Sequence, residues 1–80
     1  SIAGITTVNG ATLLGSSLAV AGITSLGDDV VFTGAAANIT FDQSTDDLIF
    51  DDNAKAIFGS SSDGLEIFHD GSNSKIKAFF

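Results

Sequence analysis

Short apolar segments recur along the second half of the chain, and each is bounded by Gly, Asp, Asn or Ser. They consist mainly of β-branched and aromatic residues, which favour strands, whereas the residues between them favour turns. The gaps are too short for crossover helices and suit hairpins or tight corners. The pattern therefore predicts six strands and almost no helix. These strands are Val30–Phe32, Ile39–Phe41, Leu48–Phe50, Ala56–Phe58, Leu65–Phe68 and Lys75–Phe79.

Phenylalanine marks the predicted strands at a nearly regular interval. Phe32, Phe41, Phe50, Phe58 and Phe68 lie 9, 9, 8 and 10 residues apart. Such a period, with turn residues at each boundary, indicates stacked or wound β-structure in which each unit needs its neighbours to bury its apolar side. We expect the last four of these rings to be largely buried in an assembled oligomer.

The first part of the chain, residues 1–27, combines Gly, Ala, Ser and Thr with single aliphatic residues. Helix is disfavoured there because each Gly costs about 1 kcal/mol relative to Ala in a helix. The alternation over residues 16–21 predicts a strand with Leu18 and Val20 on one face. Small residues let backbones approach closely, so this segment is interpreted either as a narrow fibrous stem or as a low-complexity linker.

The composition bears on how such a chain becomes stable. It has 80 residues, no Cys, and a hydrophobic content of 44% that leans on Ala. A compact monomer of this size usually needs a dense core, disulfides or a metal. One interpretation is a small all-β domain with a thin core. The other, which the absence of Pro and the unprotected strand edges favour, is a core completed by other copies of the chain. We divide the chain into a stem segment, 1–27, and a β-repeat shaft segment, 28–80, and expect both to belong to a longer protein.

The charge balance excludes some partners. Three Lys and no Arg stand against ten Asp and Glu, which gives a net charge of −7. Such a chain repels phosphate backbones, so nucleic-acid binding is not expected. No apolar run approaches the roughly 20 residues that span a bilayer, so membrane insertion is not expected either.

Two stretches resemble a repeat in tail-fibre-like proteins of marine bacteriophages, such as those that infect cyanobacteria. Residues 41–59 read FDQSTDDLIFDDNAKAIFG, and residues 63–74 read DGLEIFHDGSNS. The run HDGSNS is the most specific part, while residues 1–40 are similar to the stem of such fibres. The family commonly has Tyr where this chain has Phe68. The resemblance implies an elongated homotrimer that projects from a virion and supports host attachment.

His69 is the one imidazole of the chain and the first candidate for chemistry. A nucleophilic site could be imagined with Asp70 and either Ser72 or Ser74, but proximity in sequence does not supply triad geometry. Threefold symmetry would instead bring three copies of His69 around an axis, which matches a His₃ metal site. That arrangement needs His69 to point inward, and the alternation along the strand leaves the inner face open. We therefore expect a surface residue and assign no catalytic, cofactor-binding or metal-binding residues.

The acidic turns are the second candidate. Carboxylate oxygens of Asp46, Asp47, Asp51, Asp52 and Asp63 could in principle bind Ca²⁺. Their spacing does not match a calcium-binding loop or a glycine-rich calcium roll. Turn residues that bond their own backbone explain them better.

These observations predict an all-β, elongated and intertwined homotrimeric fibre of the triple β-spiral, β-prism or interlocked-strand type. The predicted function is that of a structural tail-fibre segment on the extracellular face of a virion, in contact with other tail or baseplate proteins. A host receptor would be bound by a region outside this segment. No enzymatic activity and no cofactor are expected. The alternative is a calcium- or polysaccharide-binding β-repeat module of a secreted bacterial adhesin.

Overall fold

A computed structural model describes residues 4–60 and 64–78, and in this part of the chain it is all-β, without helix. Six strands form two three-stranded antiparallel sheets. All six predicted strands are confirmed to within two residues at each end, apart from the predicted end of the last strand at Phe79, which lies outside the described residues. The first sheet contains β1 (Val30–Phe32), β2 (Ile39–Asp42) and β3 (Asp47–Phe50), and the second contains β4 (Ala56–Phe58), β5 (Leu65–His69) and β6 (Ser74–Lys77).

Both sheets follow the same plan. In each, the middle strand pairs with the strand before it and the strand after it. Six residues separate the first two strands of each sheet, and four residues, 43–46 and 70–73, separate the second strand from the third. β1 and β4 begin 26 residues apart, and so do β2 and β5. The repeating structural unit is therefore a three-stranded sheet, which contains three of the short segments seen in the sequence.

The four-residue loops are closed by an aspartate in each case. Asp42 Oδ1 accepts hydrogen bonds from the Ser44 amide at 3.0 Å and from its hydroxyl at 2.7 Å. Asp70 Oδ1 accepts from the amides of Ser72 and Asn73 at 2.9 and 2.8 Å. Such bonds offer the backbone a turn in place of a continued strand. The acidic turn residues at these two positions therefore shape hairpins.

The connection between the sheets, residues 51–55, is held at both ends. The amide of Asp51 donates to the carbonyl of Asn38 at 3.1 Å, and the amide of Asn38 donates to Asp51 Oδ2 at 3.1 Å. The amide of Asn53 donates to the carbonyl of His69 at 2.7 Å, which ties the connection to the end of β5. Asn53 has φ 69°, a left-handed conformation that Asn tolerates better than most residues. This turn ends the first sheet and directs the chain into the second.

Residues 4–29 form no strand, so the prediction of a strand over residues 16–21 is not met in the single chain. Leu18 and Val20 are both largely exposed. Strands need a partner to satisfy their backbone groups, and this segment pairs with no other segment among the described residues. One side-chain contact joins its end to the first sheet, where Asp29 Oδ1 accepts a hydrogen bond from the amide of Gln43 at 2.9 Å.

The chain has hardly any interior of its own. Among the described residues, only Ala54 and Glu66 are buried, with 8% and 6% of their surface exposed. The overall dimensions are 50 × 28 × 22 Å, which is elongated for a chain of this length. The two sheets are thus formed by backbone pairing and local contacts, while most of their large apolar side chains face outward.

Candidate functional site

The apolar side chains of the first sheet gather on one of its faces. Residues directly opposite each other in an antiparallel pair share a face, and successive residues of a strand alternate between faces. The register therefore places two rows of three side chains together, and we call them the apolar face of the first sheet. The rows are Phe32, Ile39 and Phe50, and Val30, Phe41 and Leu48.

The other face of the first sheet is mixed. It carries Val31, Thr40 and Ile49 in one row, and the pair Asp42 and Asp47 beside it. Two carboxylates directly opposite each other disfavour burial of this face. The contrast between the two faces is typical of a sheet that buries one side and leaves the other in water.

The second sheet also has an apolar face. Ala56, Ile67 and Ile76 are paired across its three strands, and Phe58 pairs with Leu65 beside them. These side chains are open to solvent in the single chain, since Ile67 and Ile76 are 43% and 75% exposed. His69 and its partner Ser74 continue the same face at one end.

The charged face is the opposite side of the second sheet, and it carries all three lysines of the chain. Lys55 Nζ lies 3.2 Å from Glu66 Oε1, and Lys75 Nζ lies 3.0 Å from Asp70 Oδ2. The two ammonium groups also lie 4.7 and 5.9 Å from the centre of the Phe68 ring, close enough for cation–π attraction. This cluster was not predicted from the sequence, although Glu66 and Phe68 alternate along β5 in the same way as Lys75 and Lys77 do along β6.

Phe68 therefore differs in its placement from the other rings of the series. It shares the charged face with Glu66, whereas Phe58 lies on the apolar face. Its half-buried ring is covered by the lysine side chains of its own chain. The expectation that it joins a core shared between chains stays a prediction, and within the single chain its ring already lies against Lys55 and Lys75.

In the second sheet, a charged side chain is thus more buried than the apolar side chain next to it in the sequence. The carboxylate of Glu66 is almost fully covered, while the neighbouring Ile67 on the other side of the strand is nearly half exposed. Exposed apolar area of this kind marks an interaction surface rather than a finished protein surface. Both sheets of the single chain present such a face.

His69 does not form a triad with its neighbours. Its Nδ1 lies 3.1 Å from Ser74 Oγ, while the carboxylate of Asp70 bonds to loop amides and to Lys75. No described contact joins that carboxylate to the imidazole, so the orienting acid of a triad is missing from the described residues. Of the two serines considered in the sequence, the structure brings Ser74 to His69 and places Ser72 in the loop.

The acidic turns form no metal site within one chain, because no group of three or more potential ligands converges among residues 4–60 and 64–78. The carboxylate of Asp51 accepts a hydrogen bond from the backbone amide of Asn38. Asp63 lies outside the described residues. A wide, open groove of about 510 Å³ is lined by Ala36, Ala37, Ile49, Phe50, Asp51 and Asp52, and it holds no convergent set of polar groups.

We expect the stability of the folded protein to depend on pH through the carboxyl group of Asp70. Hydrogen bonds from the Asn73 amide, from Lys75 and from the Ser72 amide hold the pKa of its carboxyl well below the usual value. Since the folded pKa is lowered, the stabilisation is fully present above the unfolded pKa of about 3.9 and is lost as the pH falls below it. We expect the urea midpoint to fall between about pH 4 and pH 2.

The Asp70→Asn variant should show a flatter acid dependence than the wild type, because the amide cannot ionise. Lys75→Gln, which removes one of the interactions that lower the pKa, should give an intermediate slope. Urea midpoints measured across this range for the three proteins provide the check. An unchanged slope in Asp70→Asn would contradict the assignment.

Comparison of the chain with known protein families, curated proteins and solved structures finds no match. In the part of the chain that the structure describes, there is also no helix long and apolar enough to cross a membrane.

Proposed function

We propose that this chain is a shaft segment of a bacteriophage tail fibre, in which three copies form an elongated rod on the extracellular face of the virion. The observation that carries the proposal is the exposed apolar face on each of the two sheets. Three copies that turn these faces toward a common axis would bury them together. The charged face, where Lys55 and Lys75 are paired with acidic residues of the same chain, would then face water.

The apolar area that such a trimer would bury is large enough to contribute to its stability. Each square ångström of apolar surface removed from water contributes about 25 cal/mol. Most large residues on the two apolar faces are between 36% and 75% exposed, whereas Val30, Ile39 and Phe50 are half-buried in the single chain. A narrow closed ring also pairs the outer strands of neighbouring sheets, which removes the exposed edges. Threefold closure is chosen because the resemblance of residues 41–74 to marine phage fibres implies trimers.

A rod of this type would act mechanically and not chemically. It would hold a receptor-binding region at a fixed distance from the tail and transmit its position to other tail or baseplate proteins. The repeated unit of three strands supports this role, because a repeated unit lengthens a rod without changing its cross-section. Receptor contact is assigned to another part of the fibre.

Sedimentation equilibrium of the purified chain, with and without a chelator, tests the proposal. We expect a species of three times the 8.1 kDa chain mass that is indifferent to the chelator. A monomer that loses its sheets when Ca²⁺ is removed would instead indicate the adhesin module. A stable monomer or dimer under all conditions would contradict the trimeric rod.

A further inference from the structure

We propose that the assembled protein binds one divalent transition-metal ion on its threefold axis, through the His69 side chains of three chains. The inference rests on the proposed trimer, since a single chain supplies one imidazole only. It adds to that proposal a metal ion bound at one end of the shared apolar core. Zn²⁺ is the probe, because three histidines and one open position are an established ligand set for it.

The register decides which way His69 points. Its partner across the hairpin is Ser74, and the next pair on the same face is Ile67 with Ile76. His69 therefore belongs to the apolar face, whereas Phe68 lies on the charged face with Glu66. A trimer that buries the apolar face carries three imidazoles toward the axis, at the end of the aliphatic layer. Facing sheets pack about 10 Å apart, which is within reach of histidine side chains from all three chains.

The imidazole is also held in a suitable orientation. His69 is exposed in the single chain, its Nδ1 lies 3.1 Å from Ser74 Oγ, and its Nε2 has no hydrogen-bond partner among the described residues. When Nδ1 donates its proton to the serine, the lone pair of Nε2 is available to a metal. Histidine ligands in proteins generally have their second nitrogen bonded in this way, which fixes the ring and its tautomer.

The backbone of His69 is fixed as well. Its carbonyl accepts a hydrogen bond from the amide of Asn53 at 2.7 Å, and the residue ends β5 directly before the tight loop closed by Asp70. The imidazole is thus attached to a constrained corner of the second sheet. An isolated imidazole buried near an apolar core would need a partner for Nε2, and a shared metal satisfies all three copies at once.

Equilibrium dialysis against Zn²⁺, followed by elemental analysis, measures the stoichiometry. We expect one tightly bound Zn²⁺ per three chains, a higher melting temperature with the metal, and loss of both effects in His69→Gln. Ser74→Ala keeps the imidazole but removes its support, so it should bind Zn²⁺ about 10–100-fold more weakly than the wild type.

Sedimentation of the same samples separates the two proposals. A trimer that binds no Zn²⁺, or that binds it equally well in His69→Gln and Ser74→Ala, overturns the metal site and leaves the rod intact. A ratio of one Zn²⁺ per chain would also overturn it, because that indicates local sites in the acidic turns. Absence of a trimer overturns the rod, and the shared site with it.

Discussion

Phe50→Ala and Phe58→Ala should each lower the stability of the assembled protein by about 3–5 kcal/mol per chain, the cost of removing a fully packed ring. Both rings lie on the apolar faces that the trimer is proposed to bury. In the single chain Phe58 is 59% exposed, so truncation there would have a small effect if the chain acted alone. A large effect of Phe58→Ala therefore reports on packing between chains, whereas Phe50 is already half-buried within its own chain.

Ile57 provides a matched control for Phe58. It is the neighbouring residue of the same strand, it is 47% exposed in the single chain, and it lies on the opposite, charged face. Ile57→Ala should therefore cost much less than Phe58→Ala, although the two residues are similarly exposed before assembly. Thermal unfolding at fixed protein concentration measures the difference. Equal and small losses in all three variants would show that the rings are surface features and that the shared core does not exist.

The positions of the strands could be predicted from the sequence because two independent signals agree at each boundary. β-branched and aromatic residues favour the strand, and Gly, Asp, Asn or Ser favours the turn that follows. The grouping into threes could not be predicted. The connection between the sheets has five residues, which lies between the four and six of the hairpin loops, so gap length does not distinguish it. What distinguishes the connection in the structure is its pair of backbone hydrogen bonds, from Asp51 to Asn38 of the first sheet's loop and from Asn53 to His69 of β5.

The face of the sheet on which each side chain lies could not be predicted from the sequence either. Phe41 and Ile67 occupy equivalent positions in the two sheets, and Phe68 lies one residue further along. A step of one residue moves a side chain to the opposite face, so the nearly regular series of rings spans two surfaces. The same alternation links His69 to Ile67, but only the register with β6 shows that this face is the apolar one.

The assembly itself should determine whether the chain is folded. We expect the melting temperature to fall as the protein is diluted, and the sheets to be lost at nanomolar concentration. Ordering the backbone costs roughly 1–2 kcal/mol per residue, and a single chain that buries little more than Ala54 and Glu66 cannot offset it. Since the missing burial comes from sister chains, stability depends on their concentration.

Far-UV circular dichroism over a series of concentrations, with hydrogen exchange at the lowest, measures this dependence. The matched control is a single polypeptide that joins three copies of the chain through flexible Gly/Ser linkers. Its melting temperature should not change with dilution, because the linkers keep the effective concentration of the partners in the millimolar range. The separate and joined forms would then differ most at nanomolar concentration, where the separate chains have dissociated. A separate chain that stays folded there as a monomer, with a sharp transition, would remove the physical basis of the rod, since its exposed apolar faces would then need no partner.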